Sequence, residues 1–508
     1  MSRGVNGVLT GCALVVAVLT QNPDPDPDLG WHVAGGLFML ETWRLPTIDP
    51  FGAQGNFWLC YSWLAEVVFA LAYRLGGVAG LGVLEALLRV AVTASIVWCV
   101  QHRARREASD NAPLRRTSEW LAIAAALALV LPLTRLRPQV IGWILFAVLL
   151  VCTDRDRLRL RHLAPLTIVW ANVHVFWVFV PVIVLFHGFL WPSDPSLRSR
   201  LRGAGLAAVC AALGVVNPYG WRMFAALWDL VFDQGAANAL ALEMSPISAY
   251  EGFWLYCAVL VMVAACVRRV VASERRANLA TFVLFAALAA MHIRYLPLFA
   301  LAAVPLLASS VFPTLVRTAL DLLAGFVAVP VLDRTIDGGR QPARDVLALG
   351  AAVWILSIPL VARSASLPDP HRELFAIAQR LTVDPDLGRA RRVHVLSDAN
   401  FGGWLELAFW LARPPGAAES SFKAAMDNRG LVVGQERFRE YDQLRQMAGD
   451  WERILARWGV DVAILPSRAA IIQAMTDGTP GSPSADGETW QPIYTSAMWT
   501  VLVRHPTR

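Results

Sequence analysis

Eleven apolar runs dominate the chain, at roughly 5–21, 78–100, 118–133, 138–152, 162–174, 177–191, 203–216, 252–267, 277–292, 294–312 and 344–362. Inside lipid, each backbone N–H and C=O must be satisfied within its own segment, so runs of this length predict helices that cross or enter a bilayer. Several fall short of the roughly 20 residues that a full crossing takes. With 56% hydrophobic and 17% charged residues over 508 positions, the composition excludes an ordinary soluble protein. A further stretch at 318–332 is apolar but ends at Pro330, before a charged loop with Asp333, Arg334 and Asp337, and stays open as a span.

Basic clusters fall at Arg103–Arg116, Arg155–Arg161, Arg198–Arg202 and Arg268–Arg276, each two runs from the next, so all four share one face. Arginine-rich loops stay in the cytoplasm, which assigns that face. The net charge of +6 therefore sets orientation, and no nucleic-acid partner is expected. The 20 Trp residues suit anchoring at headgroup depth. Six of the seven Cys lie in or at the ends of apolar runs, Cys60 being the exception, which argues against a disulfide framework. Leu9-Thr10-Gly11-Cys12 resembles a lipoprotein cleavage box, but the apolar run continues to Leu19, so an uncleaved signal-anchor helix is expected, with Arg3 inside.

Eleven spans leave the C-terminus outside. From about 364 the pattern becomes mixed and soluble. Strands are expected at 393–397, 460–465 and 499–503, a helical stretch at 435–457 and a loose loop at 479–484, together a small α/β domain. The predicted fold is thus an α-helical polytopic membrane domain at 1–363 and an extracytoplasmic α/β domain at 364–508.

The first external loop, about 22–77, opens with Asn22-Pro23-Asp24-Pro25-Asp26-Pro27-Asp28-Leu29-Gly30-Trp31-His32. Proline at alternate positions forbids helix and holds three carboxylates along an extended segment. Residues 31–43 and 58–75 read as interfacial helices along the membrane, the second ended by Gly76-Gly77; were it a span, the Arg103 cluster would be external. A carboxylate partly buried among aromatics gains basicity, so Asp28, then Asp26, is a candidate general base toward an acceptor hydroxyl or amine. The alternative is an Asp-Pro turn capping a helix that begins near Gly30. These carboxylates could also hold a divalent cation. Arg135 and Arg137, outside although basic residues are otherwise kept inside, suit a phosphate or pyrophosphate; the alternative is a snorkelling pair. His174 and Arg294 occupy similar span ends. No Gly-rich phosphate loop or spaced Cys/His cluster is present.

The order of Asp28-Leu29-x-Trp31-His32, Pro46-x-x-Asp49-Pro50-Phe51, Trp63-Leu64-x-Glu66, Arg137-Pro138-Gln139, Trp170-Ala171-Asn172-x-His174, Asn217-Pro218-Tyr219-Gly220 and Arg294-Tyr295-x-Pro297 resembles a group of bacterial multispanning proteins akin to the GT-C superfamily of membrane glycosyltransferases. Gly402-Gly403-Trp404-Leu405, Met426-Asp427-Asn428-Arg429-Gly430 and the run from Trp451 to Pro466 extend the resemblance to the C-terminal segment. It implies a multi-pass protein of the bacterial inner membrane with its active face outside. The implied reaction is inverting transfer of a sugar from a polyprenyl-phosphate donor to an envelope glycan, lipid or protein acceptor. Asp28, with Asp26 and Glu66, would be catalytic; Arg135, Arg137, His174 and Arg294 would hold the donor phosphate; His32, Trp31 and Asp49 would support the acceptor or the loop. Gly30 departs from the group, which commonly has a second Trp there, and Val175-Phe176-Trp177 stands where small residues are common. A non-enzymatic transporter or a polyprenyl-lipid-binding assembly factor is the competing expectation. A transporter would favour ionisable residues at mid-membrane and symmetric repeats, whereas here polar residues gather at one face.

Overall fold

The computed structural model describes residues 25–104, 112–153, 158–232, 235, 242–318, 367–387, 392–476 and 488–506. The runs expected at 5–21 and 344–362, the stretch from 319 to 332, Asp24 and the loop 479–484 lie outside the described residues, as does much of the first basic cluster. The described residues form two compact units: 82–104, 112–153, 158–220 and 242–318 make one, and 25–81, 221–232, 235, 367–387, 392–476 and 488–506 the other.

The first unit is helical. Its helices include Ala112–Val130, Pro138–Thr153, Leu160–Ala171, Leu197–Leu213, Phe253–Ala265, Arg276–Met291 and Leu296–Leu306. Their inward faces supply an aromatic core in which Phe285 packs edge-on against Phe146 at 4.8 Å and Phe179 at 4.9 Å. Among the described residues, two helices are long and apolar enough to cross a membrane, Trp63–His102 and Ile293–Thr318. The run expected at 252–267 is bent by 73° where Phe253–Ala265 meets Val267–Ser273, and that pair would be a third. Eleven full spans are therefore not reached there: the helices Pro138–Thr153, Val175–Leu190 and Arg276–Met291 are apolar but too short.

The second unit combines the first loop with the C-terminal segment. Its sheet has the order β2-β1-β3-β5-β4, with β1 at Val393–Ser397, β2 at Phe422–Ala424, β3 at Val462–Pro466, β4 at Glu488–Thr495 and β5 at Trp499–Pro506. The β2-β1-β3 core is parallel, with Val393 opposite Phe422 and Val395 opposite Val462, whereas β5 runs antiparallel to β3. The three expected strands are present. The expected helix at 435–457 is two, Gln435–Gln446 and Trp451–Trp458, separated where Met447 and Gly449 take positive φ. Residues of the first loop extend the sheet edge, Ala424 N–H donating to Phe51 O at 3.0 Å and Ala53 N–H to Ala424 O at 2.8 Å.

The interfacial reading of residues 31–43 is corrected. Helix Leu29–Thr42 is buried from Leu29 to Leu37, packed in protein on the helix Ala399–Ala412. Gly30 makes this approach feasible, since a Cβ there would lie 2.5 Å from the backbone of Gly403. An apolar, aromatic helix looks alike in sequence whether lipid or protein covers it. The break at Gly76-Gly77 is present within Trp63–Ala104, where Gly77 takes φ 59° and ψ −141°, a conformation reserved for glycine. Ahead of it Ala65, Phe69 and Ala70 are buried, so this helix too packs on protein at its start.

Candidate functional site

In the second unit the Asp-Pro segment closes into a turn. Asp26 Oδ1 accepts from the Asp28 N–H at 2.9 Å, and Asp26 O accepts from Leu29 N–H at 3.1 Å, so the helix starts at Leu29 with Asp28 as its cap residue. The Asp28 side chain makes no cap hydrogen bond, which sets aside the capping role as its main task. The turn is clamped from the C-terminal segment, where Trp404 Nε1 donates to Asp26 O at 3.0 Å. Asp26 is buried and Asp28 half-buried.

One turn into the helix, the His32 ring lies 3.6 Å from that of Trp31, and His32 Nδ1 meets Glu66 Oε1 at 3.2 Å. Glu66 is fully buried and also accepts from Ser62 Oγ at 2.8 Å and Cys60 Sγ at 2.9 Å. Burial, then the neighbouring Glu66 carboxylate, pushes the Cys60 thiol well up, so it stays a donor. With three side chains directed at it inside protein, Glu66 orients His32 and the helix start.

A second cluster stands beside it. Arg429 donates to both oxygens of Asp49, at 3.2 and 3.0 Å, to Glu406 Oε1 at 2.6 Å and to both oxygens of Asp427, at 3.1 and 2.8 Å. Its guanidinium stacks over Trp58 at 4.9 Å and Trp31 at 5.8 Å. Asp49, Glu406 and Asp427 are the group, among the described residues, whose carboxylates converge closely enough to hold a metal, and the guanidinium already lies between them. All four side chains are buried, and burial is the largest influence on each. It raises Glu406 well above the usual carboxylate range, helped by Asp427 and Asp49, while Arg429 holds Asp427 below it. Glu406 Oε2 has no hydrogen-bond partner among the described residues.

In the first unit the expected donor-side residues sit on turns between helices. Arg137, just before helix Pro138–Thr153, pairs with Glu243, which Gln139 also reaches. Partial burial raises the Glu243 carboxyl, and Arg137 and Arg294 more than reverse this, leaving it below the usual range. Arg294 lies over the Phe176 ring at 5.4 Å, and Phe176 stacks on Tyr295 at 5.5 Å. His174 accepts from Phe176 N–H at 3.3 Å, and its ring meets that of Phe176 at 4.3 Å. Val175-Phe176-Trp177, the departure noted in sequence, thus builds the platform under Arg294. Arg135 is half-buried, within electrostatic reach of Arg89 and Tyr250.

The structure accordingly gathers Asp26, Asp28, Trp31, His32, Glu66 and Asp49 in one unit, and Arg137, His174 and Arg294 in the other. Sequence reasoning missed Glu243 and Glu406. A lone acid in the apolar stretch Trp404-Leu405-Glu406-Leu407-Ala408-Phe409 was a readable signal for the latter; Glu243 offered none.

No family model and no curated protein sequence matches the chain. Solved structures do. The oligosaccharyltransferase of Archaeoglobus fulgidus, tethered to an acceptor peptide containing the NVT sequon, aligns at TM-score 0.54 and 10% identity over 94% of this chain and 70% of its own. The oligosaccharyltransferase AglB of the same organism, with an inhibitory peptide and a dolichol-phosphate, aligns at 0.55 and 11% over 92% and 70%. ArnT of Cupriavidus metallidurans bound to undecaprenyl phosphate gives 0.47 and 12% over 99% and 98%. At these identities the likeness is one of fold, and the GT-C-like fold expected from the motif order is borne out.

Proposed function

We propose that this chain is a membrane glycosyltransferase that moves a sugar from a polyprenyl-phosphate carrier to an envelope acceptor on the extracytoplasmic face, with inversion. The observation that carries the reading is the Asp26–Asp28 turn, an irregular carboxylate-bearing segment pinned by Trp404 in a chain with an oligosaccharyltransferase-like fold. The fold neighbour AglB has been solved with a dolichol-phosphate, and its relative with an acceptor peptide, which supports the two substrate classes.

In this reading Asp28 accepts the proton of the acceptor O–H or N–H as that atom attacks the sugar C1. The bond from C1 to the carrier phosphate oxygen breaks, and the lipid phosphate leaves with the electron pair and its added charge, which Arg137 and Arg294 stabilise. Trp31, His32 and Glu66 set the helix start that aims Asp28. A cation near Asp26 and Asp28 stays part of the proposal as an accessory to the carboxylates. The test is transfer from a labelled polyprenyl-phosphate sugar by the purified full chain. Asp28→Asn should slow it by about 10²–10⁴-fold, the usual worth of a general base. Unchanged transfer removes Asp28 from the chemistry, and a wild type that binds lipid phosphate yet transfers from no donor is a binding protein.

A further inference from the structure

Arg294 stands on the single turn Ile293–Tyr295, which is fastened to the chain at Met244 and Ser245: Ile293 N–H donates to Ser245 O at 3.0 Å, and His292 Nδ1 meets Met244 O at 2.6 Å. Its guanidinium is held by softer contacts. Nη1 donates to Met244 Sδ at 3.2 Å, the guanidinium carbon lies 5.4 Å from the centre of the Phe176 ring, and the buried Nε–H has no acceptor among the described residues. A thioether is a weak acceptor and a ring face offers no oxygen, so these contacts hold the group without using its capacity for anionic oxygens. The Phe176 ring is itself fixed by its other neighbours. It stacks on Tyr295 at 5.5 Å, meets Phe179 at 5.6 Å and stands edge to face with His174 at 4.3 Å, and Phe179 continues through Phe285 to Phe146 in the helical core. One buried ring thus connects the core of the helical unit to the side chain of Arg294.

We infer that Phe176 is a positioning residue for the donor: its ring holds the Arg294 guanidinium so that the N–H groups, the buried Nε–H among them, are set for the carrier phosphate. The inference rests on the lipid-phosphate reading of Arg294 above and adds the residue through which that arginine is placed. An arginine side chain is long and rotamer-rich, and ordering it only when the ligand arrives would subtract from affinity. A cation over an aromatic face is attracted by the ring quadrupole, so the restriction is already made in the free protein. An aliphatic side chain fills much of the same space and lacks the quadrupole. Replacing the ring should therefore weaken phosphate binding, and should do so only while Arg294 is present.

The experiment measures the dissociation constant of farnesyl phosphate for the full chain in detergent, as wild type, Phe176→Leu, Phe176→Tyr, Arg294→Met and the variant that combines Phe176→Leu with Arg294→Met. Phe176→Leu should bind about threefold to fivefold more weakly, the usual worth of one cation over a ring. Phe176→Tyr keeps the aromatic face and should stay within about twofold of the wild type. In the Arg294→Met background the leucine substitution should change nothing, because the ring acts through the guanidinium. Phe176→Met serves in the same way if the leucine variant does not fold. The same pattern with inorganic phosphate would identify the phosphate group itself as the ligand, and its restriction to farnesyl phosphate a lipid headgroup; both support the inference. A loss that persists in the Arg294→Met background makes the ring a packing element or a contact of the lipid chain and overturns the inference alone. So does an equal loss in Phe176→Tyr, or no loss in Phe176→Leu. Arg294→Met that binds as tightly as the wild type, or a wild type that binds neither probe, overturns it together with the phosphate role of Arg294.

Discussion

The two charged clusters differ in how deeply they are buried. Around Arg429, three carboxylates surround one guanidinium, and every member is buried. Around Glu243, Arg137 pairs with the carboxylate and Arg294 lies within electrostatic reach, on turns that keep some exposure. In the first, indole faces cover the guanidinium, whose donors reach all three carboxylates, so the cluster ties loop to sheet. In the second, Arg137 pairs with Glu243, while Arg294 lies over Phe176 with its buried Nε–H lacking an acceptor among the described residues. The teaching is that burial of every member, rather than the residue types, makes a charged cluster a clasp.

Breaking the clasp should have the largest effect. Arg429→Met leaves three buried carboxylates without their cation and should cost about 3–5 kcal/mol in denaturant unfolding, the usual penalty for removing one partner of a buried ion pair. A loss below about 1 kcal/mol would make the cluster a bystander. The matching change in the other unit, Arg137→Met, removes a partly exposed pair and should cost about 1 kcal/mol or less. Equal losses in the two variants would erase the distinction.

The smallest effect concerns Glu406. Its folded-state pKa is raised, so its contribution is fully present below its unfolded value and fades as pH rises through the folded value. Asp427, held low, contributes in the other direction and is lost as pH falls through its depressed value. Glu406 faces Asp49 and Arg429 as well as Asp427, and Glu406→Gln keeps an oxygen to accept from Arg429 without a titrating proton. Thermal unfolding against pH should thus fall less steeply on the alkaline side than in wild type, with neutral-pH stability within about 1 kcal/mol. An unchanged alkaline slope would show that Glu406 is ionised in the folded state.

Much of the scaffold was legible in the chain. The strands around Val393, Val462 and Trp499 and the break at Gly76-Gly77 follow from local pattern, because each needs only its own residues to be recognised. The Asp-Pro turn was legible as irregular backbone, since three prolines exclude a helix there. The covering of helix Leu29–Thr42 was not, because hydropathy does not reveal whether the apolar partner is lipid or Ala399–Ala412. Nor were the neighbours of Glu406, which lie 23 residues away at Arg429 and in the first loop at Asp49.

By itself, then, the sequence determined a helical, membrane-suited chain with a small sheet and a proline-stiffened carboxylate segment, all properties of short windows of residues. Only the tertiary structure decided that Asp49, Glu406 and Asp427 close on Arg429, that Trp404 pins Asp26, and that Glu243 pairs with Arg137. Those pairings depend on which turns the folded backbone brings within hydrogen-bond distance. Charge and hydrogen bonding act over a few ångströms of space and are blind to separation along the chain.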